Sequence, residues 1–86
     1  MIRIVDFCIS HKIEPTFIEE LSEYGLIQVI IEENESYLRE EELLPLEQFT
    51  CWYYELEMNL QGIEVAHKLL NKIKTLQNEI QFLKSR

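Results

Sequence analysis

Apolar residues recur at helical spacing in four stretches of this chain and run almost unbroken in one. Val5, Cys8 and Ile9, with Ile4 and Ile13 beside them, fit one face of a short helix over roughly 4–11, and His11-Lys12-Ile13 reads as a turn. Pro15 suits the first turn of a second helix, where its missing N–H has no partner to lose. Phe17, Ile18, Leu21 and Tyr24 follow at helical spacing. Gly25 can adopt the left-handed conformation that ends such a helix. Leu26 to Ile31 is then a β-branched run, followed by the polar turn Glu32–Ser36 and the apolar pair Tyr37-Leu38, which together predict a small hairpin. Glu40, Glu41 and Glu42 place acid in the first turn of a third helix, with Pro45 close to its start and Leu46, Phe49, Trp52, Tyr53 and Leu56 as its stripe.

Asn59 and Gly62 punctuate the chain before a final helix over about 61–84. Glycine costs about 1 kcal/mol relative to alanine inside a helix, so Gly62 predicts a close approach by another segment, the aromatic helix being the expected neighbour. Along this last helix Ala66, Ile73 and Ile80 fall at heptad position a, and Leu69, Leu76 and Leu83 at d. Ile at a with Leu at d favours a two-stranded coil, and Glu79 at g can pair with Lys84 at the following e of a parallel partner. The competing expectation is that the stripe packs on the chain's own core. The whole predicts a mostly α fold, a winged helix-turn-helix with a small β-hairpin and a long C-terminal helix. Residues 1–60 form the body and 61–86 the helix of a single folding unit.

Composition sharpens this picture in one respect. Eighty-six residues make one small domain, which buries only roughly 60–65% of the surface its unfolded chain exposes, so a partner would add needed stability. The net charge of -8 is unevenly spread. Residues 1–66 hold three basic residues against fifteen acids, for −12, and residues 67–86 hold five basic residues against Glu79 alone, for +4. An acidic body repels phosphate and anionic lipid and attracts a basic protein surface, so the expected partner is a protein, with neither nucleic acid nor membrane. No signal-like N-terminus or apolar run of roughly 20 residues is present, and the two cysteines have no C-x-x-C spacing. The expected compartment is the cytoplasm.

Candidate chemistry is sparse. Cys8 and His11 lie three apart, within reach of a thiol–imidazole contact, but no oxyanion donors or orienting group accompany them, and a buried core cysteine is the plainer reading. Cys8, His11, Cys51 and His67 lack the paired spacing of a structural zinc site. The carboxylates sit beside apolar positions as solvated faces do, so no enzyme activity, metal or cofactor is expected. Binding residues are more legible. Glu19 and Glu23 are four apart and project from one side of the second helix, with Glu20 and Tyr24 beside them. Glu41 and Glu42 form a lesser acidic set, and Tyr54, pointing away from Phe49 and Trp52, is placed for an interface. Self-association is expected through Leu69, Ile73, Leu76, Ile80 and Leu83, giving a homodimer.

The order of elements, with a Pro-started helix ending Tyr24-Gly25-Leu26-Ile27, resembles the N-terminal module of MerR-type regulators. A fuller resemblance is to the chaperone-modulator family CbpM, in its short Bacteroidetes-type members. It rests on Phe17-Ile18-Glu19-Glu20-Leu21, Glu23-Tyr24-Gly25-Leu26-Ile27, Glu41-Glu42-Leu43, Pro45-Leu46-Glu47 and above all Leu60-x-Gly62-Ile63-x-Val65. That resemblance implies binding to the J-domain of a DnaJ-like (CbpA-like) co-chaperone, restraint of its action on DnaK, and no cofactor. The MerR resemblance alone implies the alternative, a DNA-binding transcriptional regulator. In such a regulator the second helix enters the major groove amid phosphate-neutralising bases, whereas Glu14 to Tyr24 carries four acids and no base.

Overall fold

Two residues at the N-terminus, Ile2–Arg3, form a strand (β1) too short to carry any alternation of polar and apolar positions. In the computed structural model, which describes residues 1–85, the chain then runs through α1 (Ile4–His11), α2 (Pro15–Glu23), β2 (Ile30–Glu32) and β3 (Glu35–Leu38). A 3-10 turn (Glu40–Glu42), α3 (Leu43–Tyr54) and α4 (Leu60–Lys84) complete it. It is a mostly helical winged helix-turn-helix with a long C-terminal helix.

The sheet has the order β1-β3-β2 with both pairings antiparallel, Ile2 opposite Leu38 and Ile30 opposite Tyr37. Strand β2 begins only at Ile30, because Leu26, Ile27 and Val29 are taken up in packing against the helices. The turn is correspondingly tighter than the expected Glu32–Ser36. Glu33 and Asn34 both have positive φ, 50° and 66°, as the two central residues of a type I′ hairpin do. Glu32 and Glu35 face one another across it. Arg3 Nη2 reaches diagonally from β1 to donate to Glu35 Oε1 at 2.9 Å, which offsets that like-charge pairing.

Helix α1 buries Ile4, Phe7 and Cys8, whereas Val5 and Ile9 are exposed. The expected face was therefore displaced by one position. Entering from β1 turns Ile4 inward, and the i, i+3, i+4 set then runs through Phe7. Lys12 ends α1 in the left-handed region, and Gly25 does so after α2 at φ 73°, with open space where a Cβ would stand. Conformation alone calls for glycine there. Glu40–Glu42 form a separate 3-10 turn ahead of α3, so the acids precede that helix instead of occupying its first turn. Pro45 is third in α3, where its missing N–H costs no intrahelical bond. Leu46 and Phe49 are fully buried, but Leu56 is exposed. The amides of Glu55 and Leu56 turn back onto the Cys51 carbonyl and carry Leu56 off the stripe.

One core gathers Phe7 from α1, Ile18 and Leu21 from α2, Leu38 from β3, Leu46 and Phe49 from α3, and Ile63 from α4. The first turns of α4 thus belong to the body, and every described residue from Asn71 onward is exposed. Asn59 caps α4, its side-chain oxygen accepting from the Gly62 amide at 2.7 Å. A Cβ on Gly62 would meet that oxygen at 3.1 Å and Met58 at 3.8 Å, so the close approach comes from the cap and not from the aromatic helix. Replacing Asn59 with Ala is expected to lower stability by about 1 kcal/mol in urea unfolding at fixed protein concentration, the usual cost of a lost N-cap.

Candidate partner-binding surface

Phe17, Ile18 and Leu21 turn one side of α2 into the core, which fixes where its carboxylates go. Glu20 stands at the edge of the buried face and is half-buried, while Glu23 and Glu19 fan outward into solvent. Tyr24 is half-buried at the C-cap, its amide bonded to the Glu20 carbonyl at 3.0 Å. The wing adds Glu32 and Glu33, both exposed, and Glu35, which is held by Arg3. The second helix and the wing are acidic together.

Tyr54, at the last residue of α3, is 43% exposed and joins this face from another element. Its ring stands edge-on to Phe17 at 5.4 Å, and its hydroxyl accepts from the Glu14 backbone amide at 3.4 Å. Glu20 and Tyr54 line one cavity of about 250 Å³, shared with Glu14, Thr16, Phe17 and Tyr53. The fold therefore brings these two expected binding residues together and adds Glu14 and Tyr53. In the sequence Glu14 is one of the four acids of the second helix with nothing to set it apart as a binding residue, and Tyr53 reads in the pattern as core. Glu41 and Glu42 are not part of this group. They sit at the opposite end of α3, roughly 18 Å along a twelve-residue helix at about 1.5 Å per residue.

Leu69, Ile73, Leu76, Ile80 and Leu83 are each between 48 and 63% exposed, so the stripe does not pack on the chain's own core. Beside its start, a broader groove of about 650 Å³ lies between α3 and α4, where Leu44, Pro45 and Leu70 meet Glu47 and Lys74. His67 lines the same groove with its ring edge-on to Phe49 at 5.1 Å, a packing role.

The cysteines are placed against nucleophilic chemistry. Burial pushes the Cys8 thiol up, and His11 stacks on Phe7 at 4.0 Å while its Nδ1 donates to the Phe7 carbonyl, leaving no base directed at the sulfur. Cys51 Sγ donates to Glu55 Oε2 at 3.2 Å, and that hydrogen bond is the main reason its thiol also lies above the usual value. Among the described residues no three His, Cys, Asp or Glu side chains are grouped to hold a metal ion. No described helix is long and apolar enough to cross a membrane.

The fold is that of a winged helix-turn-helix protein whose second helix and wing are acidic. The chain belongs to the MerR helix-turn-helix family: the family model described as MerR HTH family regulatory protein matches residues 2–85. No curated protein and no solved structure gives a significant match.

Proposed function

We propose that this chain is a chaperone modulator that binds the J-domain of a DnaJ-like co-chaperone through the acidic face of α2 and restrains its activity, acting as a homodimer paired along α4. The observation that carries this reading is the charge of α2. Its outward face presents Glu19 and Glu23, with Glu20 at the edge and no base, and the wing presents Glu32 and Glu33. A surface of this kind repels duplex phosphate and complements a basic helix, which is what a J-domain offers DnaK. The likeness of Leu60-x-Gly62-Ile63-x-Val65 and the α2 segment to the CbpM family points to the same partner. Restraint then follows from competition, since an acidic surface seated on the basic helix occupies what DnaK would contact.

Reversing Glu19 and Glu23 to Lys is expected to weaken binding of the cognate J-domain about tenfold at low salt, roughly 1–1.5 kcal/mol for two rim charges, with a smaller difference at moderate salt. Circular dichroism checks that the fold persists. Binding indifferent to both reversal and salt would overturn the surface assignment. Membership of the MerR family on its own favours a DNA-binding transcriptional regulator, and a gel shift with generic duplex at low salt separates the two readings. Salt-sensitive retention is expected of a DNA binder, and none is expected here.

A further inference from the structure

We infer that the cavity between the first turn of α2 and the last turn of α3 is a socket for a single cationic side chain, Lys or Arg, presented by a protein partner. Three rings form its apolar part. Phe17 and Tyr53 lie 4.5 Å apart at a 33° tilt, and Tyr54 stands nearly perpendicular to both, 5.4 Å from Phe17 and 5.0 Å from Tyr53. Phe17 is buried in the core and Tyr53 is half-buried, so the corner they make with Tyr54 is anchored from beneath. The Tyr54 hydroxyl, tied to the Glu14 amide, fixes the outermost ring.

Two acidic residues complete the socket. Glu14 and Glu20 line the cavity, and neither takes part in an ion pair among the described residues; the polar contact of the Glu14 carboxylate is with the Thr16 hydroxyl at 3.4 Å. The nearest base in sequence, Lys12, lines the separate groove beside Cys51 and Glu55. The N-terminal end of α2 disfavours a cation and the C-terminal end of α3 favours one, so the two helix dipoles oppose each other at this point. That leaves the aromatic faces and the two carboxylates to decide the ligand's charge. An aromatic corner flanked by acids attracts a cation through ring quadrupoles and through unpaired carboxylate charge at once. A neutral side chain of the same shape gains neither. The volume of about 250 Å³ is enough for one long side chain.

This inference deepens the J-domain reading and rests on it for the partner's identity, so the test separates the two. The full chain is titrated with N-acetyl-arginine amide and with the uncharged N-acetyl-citrulline amide while the Tyr53, Tyr54 and Phe17 ring resonances are followed by NMR. Saturable shifts are expected with the arginine derivative at millimolar concentration and not with citrulline, and they should vanish in the shape-conserving double variant Glu14→Gln with Glu20→Gln. The same variant, and Tyr54→Leu, should bind the cognate J-domain about tenfold more weakly, whereas Tyr54→Phe, which keeps the ring, should bind nearly as wild type. Equal shifts with citrulline, or undiminished J-domain binding by the double variant, would overturn the socket. Should the J-domain fail to bind the wild type while arginine still titrates the rings selectively, the J-domain reading falls and the socket stands.

Discussion

Replacing Ile73 and Ile80 with Lys is expected to leave the protein monomeric at concentrations where the wild type is a dimer. Both side chains are about half exposed on the single chain, at 49 and 51%, as is every described residue around them from Asn71 onward. The substitutions therefore cost the folded monomer little, as surface changes usually do. A two-stranded coil, by contrast, would bury both residues at position a on each chain, four sites per dimer. At about 1 kcal/mol for the half of each side chain still to be covered, the loss is roughly 4 kcal/mol, or about a thousandfold in the dimer dissociation constant. Sedimentation equilibrium across micromolar concentrations reads this directly, with circular dichroism to confirm that helix content in the body is kept. A wild type already monomeric at high micromolar concentration would end the pairing proposal and leave α4 as an exposed apolar helix awaiting some other cover.

How far the sequence discloses this molecule depends on the range over which each signal acts. Pro15, Gly25 and Asn59 mark their helix ends because the physics of a cap is local, and α2 and α4 fall close to where they are expected. The heptad on α4 is legible for the same reason, since its period needs no knowledge of the body. What stays hidden is set by contacts between distant segments. Strand β1 is two residues long and exists only because β3 offers an edge to Ile2 and Arg3. The inward face of α1 depends on the direction in which β1 enters it, so Phe7 displaces Val5 and Ile9. The same limit applies to the candidate binding surface. Glu19 and Glu23 can be paired from their spacing alone, but the meeting of Glu14 and Glu20 with Tyr53 and Tyr54 joins positions about forty apart, and no periodicity reports it. Gly62 shows that a correct signal can have an unexpected cause: the tight contact is real, and it is made by the capping Asn59.

Phe49→Ala is expected to remove a large part of the body's stability and to lower its unfolding midpoint. Phe49 is fully inaccessible and belongs to the one core, with Trp52 at 6.0 Å and His67 of α4 at 5.1 Å. It thus joins the helix that ends in the socket to the helix that carries the coil. Truncating a buried Phe costs about 3–5 kcal/mol, because the lost transfer free energy is joined by the cavity left behind. A domain of this length has a total stability of only about 4–13 kcal/mol, at roughly 0.05–0.15 kcal/mol per residue. The control is Leu44→Ala on the same helix, which is 78% exposed and should shift stability by no more than about 0.5 kcal/mol. Urea unfolding followed by tryptophan fluorescence, at one fixed protein concentration so that dimerisation does not shift the midpoint, compares the three proteins. If the Phe49 variant unfolds cooperatively at the wild-type midpoint, Phe49 does not organise the core. If Leu44→Ala is equally damaging, the groove between α3 and α4 is a packed interface and not an open surface.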